Sequence, residues 1–398
     1  GTNPYGQCYI YFPTPAQTLA TGYQFSTWLV GGDVSRFVGA AAQNRADAGW
    51  DLVFYGYEAT QLLLVLLAFA LCYRLARHSG LRPLYAAVLV TALFLLNNPL
   101  LATLKHNQVN LWVLDLILLA LLGIQRYPLL SGFFVALGAH IKLYPLALLL
   151  PWTLKRQWRG MVSAGLGMGA ILLHQTAGGR DLTLWRQFLA FADSFPRGTF
   201  FRDNSLHSLV YNTLGHLKWL IGDGAFPVNE LHVSRLVLVA MGFLGLLYLW
   251  RYMQREQLAP PEQKGVELTA RSAIRRFFLG TRSTDSTILL GHSMDALALA
   301  LIASPVVWEH HYLLAMPIVI WGVGQARTAG QLWRIAISCF LIFVLPTFDV
   351  YPFSYHRLAG LLLLMGTLSP MFLAQTKGTT PQTEQAAPPP NVVAVAQR

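Results

Sequence analysis

Long apolar blocks separated by short polar connections run through most of the chain. Blocks rich in Leu, Val, Ala and Phe fall at about 58–76, 82–97, 109–125, a shorter pair within 128–153, then 160–176, 234–252, 288–303, 312–326, 331–347 and 358–375. Crossing the hydrocarbon of a bilayer takes about 20 helical residues, and these blocks approach or reach that length. Their apolar runs are continuous, without the period-two alternation of a membrane barrel, so helices are the expected spanning form. The predicted fold is therefore all-α: a polytopic helical membrane protein with about ten spanning or re-entrant segments.

The charges between the blocks predict a topology. Arg74, Arg77 and Arg82 sit in the first short connection, Arg126 two crossings later, then Lys155, Arg156 and Arg159. The stretch 251–287 carries seven Lys/Arg against four Asp/Glu, and Arg327 and Arg334 flank another connection. All of these share one side if 128–153 enters and returns as a hairpin, with Pro145 breaking its second arm. By the positive-inside rule that side is the cytoplasm. Segments 98–108, 304–311 and 348–357 are then extracytoplasmic loops.

The expected organisation is an extracytoplasmic segment 1–56, a membrane domain 57–375 with outer loop 177–233 and cytoplasmic loop 251–287, and a disordered cytoplasmic tail 376–398. Residues 271–279 read as a short basic amphipathic helix on the inner leaflet. Segment 1–56 lies outside with no spanning block of its own and opens on Gly1, so a first span is expected to precede it.

Composition agrees with a lipid-embedded chain. Of 398 residues, 54% are hydrophobic and 12% charged, about half the charged share of a soluble domain. Mean hydropathy is +0.44 and the pI is near 9.7. The net charge of +11 is spread over the connections, with no basic stripe interleaved with aromatics. That excludes a nucleic-acid partner and leaves membrane topology, anionic lipid or a phosphorylated substrate to account for it. Cys8, Cys72 and Cys339 are isolated, with no zinc or disulfide framework. No P-loop, nucleophile elbow, zincin motif or dinucleotide fingerprint is present, which argues against nucleotide-driven chemistry.

In such a chain, ionisable and amide groups beside apolar blocks carry the information, because burying them unpaired is costly. Four clusters qualify. Lys105-His106-Asn107-Gln108-Val109-Asn110 opens the third block, and its amides suit sugar hydroxyls; helix capping is the plainer reading. His140-Ile141-Lys142-Leu143-Tyr144-Pro145 lies mid-hairpin, where Lys142 either meets a phosphate or snorkels to the interface. Phe201-Arg202-Asp203-Asn204-Ser205-Leu206 falls in the outer loop, and by itself reads as a solvated stretch behind an interfacial aromatic belt. Ser304-Pro305-Val306-Val307-Trp308-Glu309-His310-His311 ends a span. Adjacent histidines beside a carboxylate are hard to explain by packing, and suit ion binding, phosphate orientation or proton transfer.

These clusters, in this order, resemble glycosyltransferase family 87 of the GT-C superfamily, the polyprenol-phosphate-mannose-dependent α-mannosyltransferases. Gly1-Thr2-Asn3-Pro4-Tyr5 with Tyr9-Ile10-Tyr11-Phe12-Pro13 resembles the family's G-x-x-P-Y and Y-x-Y-P-P region, Phe12 standing for its first proline. His106–Asn110 is similar to G-Q-x-N with Asn107 for Gly, and Ile141–Pro145 followed by Lys155–Arg159 to the I-K-x-x-P hairpin and its basic exit. Asn204-Ser205-Leu206 resembles N-Q-S-L shortened by one residue, and Ser304–His311 resembles S-P-x-x-W-x-H-H.

The resemblance implies a membrane glycosyltransferase that moves a sugar, mannose first, from polyprenyl phosphate to a glycolipid or cell-envelope glycan on the extracytoplasmic face. His310 and His311 are then expected at the reaction centre and Lys142 on the phosphate. Gln108, Asn110 and Glu309 are expected on sugar or acceptor hydroxyls, with Lys105 and Arg202 as further binding candidates. No nucleotide cofactor or resident metal is implied, although a divalent ion is compatible with the pattern. The family's general base is an Asp just before G-x-x-P-Y, which sets it upstream of Gly1. Two other readings stay open: a transporter or flippase for a lipid-linked sugar, and an inactive or structural subunit of an envelope-glycan assembly complex.

Overall fold

A computed structural model describes residues 48–105, 108–176, 203–222, 228–257, 286–348 and 350–368, with a few positions between 178 and 186. Segment 1–47, the basic stretch 271–279 and the tail 376–398 lie outside the described residues, as does Arg202. Among the described residues the chain is helical throughout, with no strand.

The helices are α1 (Ala48–His78), α2 (Pro83–Leu95), α3 (Asn98–Lys105), α4 (Asn110–Gly123) and α5 (Pro128–Ile141). A 3₁₀ turn at Tyr144–Leu148 runs into α6 (Leu149–Leu154), followed by α7 (Trp158–Gln175), α8 (Leu206–Leu220), α9 (Glu230–Gln257) and α10 (Ser286–Ala303). A second 3₁₀ turn at Glu309–Ala315 leads into α11 (Met316–Gln325), then α12 (Ala329–Cys339), a π turn at Phe340–Val344, a short 3₁₀ turn at Phe353–Tyr355, and α13 (His356–Thr367).

Three stretches are long and apolar enough to cross a bilayer: Ala59–His78, Glu230–Glu256 and Ser286–Ala303. The α2–α3 pair makes a fourth if its 52° bend is taken as a break within one span. Shorter apolar helices fill the centre, above all α4, whose Leu111, Val113, Leu114, Ile117 and Leu118 are completely buried. Prolines open α2, α5 and α11 at positions where no amide hydrogen is needed. Thr328 and Gln331 close a reciprocal capping box at the start of α12.

Three expectations need correction. Segment 98–108 is not simply a loop: residues 98–105 form α3, which buries Leu100, Ala102 and Thr103 and packs on the Glu309–Ala315 turn. Apolar residues at that spacing favour a helix over solvated coil. Pro145 does not interrupt the second hairpin arm; it sits in the first turn of that arm, where its fixed φ suits a 3₁₀ start. Several positives counted as loop charges are interior. Arg251 and Arg255 lie on the last turns of α9, and Lys155 is 2% exposed.

Close backbone approach holds the hairpin rigid. A Cβ on Gly132 of α5 would lie 2.0 Å from the carbonyl oxygen of Gly160 in α7 and 2.8 Å from Ser163. Gly132 and Ala136 face Gly160, Ala164 and Gly167, small residues at four-residue or closely similar spacing on both helices. Small-xxx-small seams of this kind let helices meet in lipid, where no hydrophobic gain drives them together.

Buried charges tie the far half of α10 to its neighbours. The Asp295 carboxylate accepts from Arg251 Nη2 at 2.7 Å and from Arg255 Nη2 at 2.8 Å and Nε at 3.1 Å. Arg251 also donates to the carbonyls of Met365 and Leu368, capping the end of α13. The Arg255 guanidinium lies 4.7 Å from the Trp321 ring centroid, and only a glycine at 291 leaves room for it across α10. Beside this triad, Glu256 pairs with Lys155 and with His292 Nε2 at 2.9 Å.

Removing one partner of a buried ion pair typically costs about 3–5 kcal/mol. Asp295→Ala, which strands two buried guanidinium groups, is therefore expected to lower the unfolding midpoint in detergent sharply. Asp295→Asn should fall between it and the wild type. A melting curve for Asp295→Ala that overlays the wild type would show the triad to be dispensable.

Candidate active site at the mouth of the bundle

One end of the bundle collects polar side chains from three separate parts of the chain. The hairpin tip contributes Lys142 and Tyr144, because α5 ends at Ile141 and the backbone turns through extended Lys142 before the 3₁₀ turn begins. The start of α4 contributes Gln108 and Asn110. The connection after α10 contributes Ser304 and the run Trp308–His311.

Lys142 Nζ donates to Asn110 Oδ1 at 2.7 Å. The lysine thus turns toward protein rather than along the lipid interface. Asn110 is fully buried, and among the described residues its Nδ2 has no acceptor. A buried amide donor left in that state is expensive, typically about 1–3 kcal/mol. Gln108 is buried two residues earlier, and its backbone amide donates to the Thr103 carbonyl at 2.8 Å.

The histidines sit on the second 3₁₀ turn. Trp308 N–H donates to His311 Nδ1 at 3.3 Å, and the Tyr144 hydroxyl lies 3.3 Å from the same nitrogen. Tyr144 also donates to Ser304 Oγ at 3.1 Å. The two imidazoles meet edge to face with centroids 4.6 Å apart, and Trp308 flanks His310 at 5.7 Å. Burial, the nearby Lys142 ammonium and His310 all hold the His311 imidazole well below its ordinary pKa, against a smaller opposing pull from the Val306 carbonyl. His311 is therefore neutral at pH 7.

Glu309 is half-buried and points toward Arg357, whose Nη2 is 3.8 Å from Oε2. Arg357 is itself completely buried, donating to Thr347 Oγ1 and to the Leu345 carbonyl at 3.0 Å each. Lys105 stands exposed at the end of α3, and among the described residues no hydrogen bond or ion pair joins it to the cluster. Lys142 with its partner Asn110 thus lies beside the turn that carries Glu309, His310 and His311, and Gln108 is buried at the entry to α4.

The stretch expected to be a solvated loop is instead a buried clamp. Asp203, Asn204 and Ser205 are each at most 3% exposed. Asp203 Oδ1 accepts from Val307 N–H at 2.8 Å and from Ser205 N–H at 3.0 Å, while Oδ2 accepts from the Ser205 hydroxyl at 3.0 Å. Asn204 N–H donates to the Val307 carbonyl at 2.7 Å, and Ser205 caps α8 by accepting from Ser208 N–H. Sequence reasoning missed this because a carboxylate's partners 104 residues away leave no local signal. It also passed over Tyr144, Ser304 and Arg357. Tyr144 was visible inside the hairpin motif, and Arg357 was visible as a cation at the edge of an apolar block.

Among the described residues no three His, Cys, Asp or Glu side chains converge as a metal site. The arrangement offers a cation, a free buried amide donor and a neutral imidazole within one apolar mouth. That set suits an anionic ligand with hydrogen-bonding groups.

The model of glycosyltransferase family 87 matches residues 49–262. The chain belongs to this family. One similar protein is the polyprenol-phosphate-mannose-dependent alpha-(1-2)-phosphatidylinositol pentamannoside mannosyltransferase of Mycolicibacterium smegmatis. It is 26% identical over 300 residues, covering 71% of this chain and 62% of the relative. The chain therefore spans less than two thirds of that relative's length. No solved structure matches it.

Asp203→Ala would orphan the Val307 and Ser205 amides, at about 1–3 kcal/mol for each unsatisfied group. The expected result is a lower melting temperature together with faster proteolysis between α7 and α8. Asp203→Asn, which keeps an acceptor oxygen, should lose less. Equal stability of the alanine variant and the wild type would remove the clamp.

Proposed function

We propose that this chain transfers a mannosyl residue from polyprenyl phosphate to a glycolipid or cell-envelope glycan at the extracytoplasmic face of a membrane. The observation that carries the reading is the Lys142–Asn110 pair beside His311. It brings a cation and an unused buried donor together at the mouth of an apolar bundle. Family membership and the similarity to a polyprenol-phosphate-mannose-dependent enzyme support the same donor.

The groups described here serve the donor side of the reaction. As the bond from C1 of the sugar to the phosphate oxygen breaks, negative charge grows on the departing polyprenyl phosphate. The Lys142 ammonium and the Asn110 amide offset that charge in a site shielded from water, where a fixed donor counts for more than in bulk. His310 and His311 stand over the same space. Glu309, steadied by Arg357, and Gln108 orient sugar or acceptor hydroxyls. Arg202 remains a further candidate for the phosphate. Polyprenyl phosphate needs no nucleotide, and its tail has the surrounding lipid as solvent.

The proposed side follows from the positive-inside argument, which survives the loss of the buried positives. Arg74, Arg77, Arg82, Arg126, Arg156, Arg159, Arg327 and Arg334 are all exposed. In the other half of the bundle Arg251 and Arg255 pair with Asp295, and Lys155 with Glu256, which supports a single-ended site over a transport path.

Removing one preorganised donor typically lowers kcat by about 10²–10³. Lys142→Ala and His311→Ala are each expected to lose that much transfer of labelled mannose from polyprenyl phosphate, in protein that still folds. Undiminished transfer by either variant would take that residue out of the site. Independently, Leu143→Cys, beside the mouth, should react with a membrane-impermeant maleimide added to intact cells, and Arg156→Cys should react only after the membrane is opened. The reverse pattern would overturn the sidedness.

A further inference from the structure

Two connections at the arginine-rich end of the bundle meet back to back. Residues 79–82 join α1 to α2, and residues 326–328 join α11 to α12. A Cβ on Gly324, near the end of α11, would lie 2.5 Å from the Ser79 carbonyl oxygen and 2.6 Å from the Ser79 Cβ. Only a glycine allows that approach, so two turns distant in sequence are pressed together. Arg74 and Arg77 share a face of the last turns of α1, and Arg82 follows the turn. Arg327 lies three residues beyond Gly324. All four are exposed, and neither 74–82 nor 325–334 contains an acidic residue. Arg77 Nη1 donates to the Leu81 carbonyl at 2.6 Å, which holds that guanidinium over the turn. Among the described residues none of the four has a carboxylate within ion-pair distance.

The positive-inside rule asks that cations lie on this side of the membrane, and not that they converge. Bringing guanidinium groups from two connections onto one patch without an acid raises their mutual repulsion, and a bound anion relieves it. Elsewhere the chain supplies its own carboxylate, Asp295 for Arg251 and Arg255 and Glu256 for Lys155. Arginine also presents forked N–H donors that match phosphate oxygens. Tyr85 and Trp333, exposed near the two turns, are residue types that settle at headgroup level. Leu84 and Leu332 beside them are exposed as well and offer apolar surface.

We propose that Arg74, Arg77, Arg82 and Arg327 form a docking surface for an anionic phospholipid of the leaflet on this side. The guanidinium groups take the headgroup phosphate, and the acyl chains run along the apolar residues next to them. Such a lipid bridges the α1–α2 and α11–α12 turns across the Gly324 contact, and so stabilises the fold. The inference does not depend on mannosyl transfer, and its test reads no activity.

The full chain in non-ionic detergent, titrated with phosphatidylglycerol, is expected to melt several degrees higher, with little rise from phosphatidylcholine. Arg82→Gln combined with Arg327→Gln should weaken the lipid affinity read from that titration about thirtyfold. Arg77 is left in place because its bond to Leu81 also serves the turn. A matched pair, Arg126→Gln with Arg159→Gln, removes the same charge from other connections and should bind as the wild type does. Equal weakening in both pairs would reduce the effect to summed charge and sink the assignment, as would an equal rise with phosphatidylcholine. A rise of the same size with soluble glycerol phosphate would rule out a lipid as the partner. One measurement needs no variant. Raising salt from about 0.1 to about 1 M shortens the screening length from about 10 to about 3 Å, and should remove most of the phosphatidylglycerol effect. A rise indifferent to salt would contradict the arginine surface.

Discussion

A charge inside a lipid-embedded bundle has no water to fall back on, so it must find its partner within the protein. That constraint organises this chain. In one half, Asp295 takes up two arginines, Glu256 takes up Lys155 and His292, and Arg251 spends its remaining reach on the end of α13. These groups lock α9, α10, α13 and the hairpin exit into one arrangement. At the mouth the accounting is left open. Lys142 and Asn110 satisfy each other in part, and the Asn110 amide keeps a buried donor in reserve.

The mouth is also where segments distant in sequence are forced into register. The small-residue seam between α5 and α7 stiffens the hairpin that carries Lys142 and Tyr144. The Asp203 clamp ties the start of α8 to Val307, directly before the histidine turn. Helix α3 packs against that same turn from another side. Each of these supports lies outside the group of residues that would touch a ligand, yet together they decide where the imidazoles and the ammonium stand. A site meant to stabilise developing charge depends on such preorganisation, because its donors must already be aimed when the bond breaks.

Much of the molecule was legible beforehand, for identifiable reasons. Apolar blocks longer than a soluble core requires specify helices in lipid, and Ala59–His78, Glu230–Glu256 and Ser286–Ala303 follow from that alone. The hairpin was legible because Lys142 and Pro145 sit between two apolar arms too short to span. Lys142, Asn110, Glu309 and the histidine pair stood out because polar residues at the edge of apolar blocks need a reason to be there. The 203–205 stretch was misjudged by the same logic, since exposure and burial are settled by neighbours the local pattern does not contain.

The sequence by itself determined the solvent of the fold, its helical class, and the polar residues available for chemistry, because hydrophobic burial and backbone satisfaction in lipid are read directly from composition and run length. Only the tertiary structure decided which polar groups are spent on one another and which are left over. Asp203 meets Val307 across 104 residues, and Tyr144 meets His311 across 167. Hydrogen bonds act over about 3 Å whatever the separation along the chain, so these pairings depend on packing, and the chemistry open to the site depends on them.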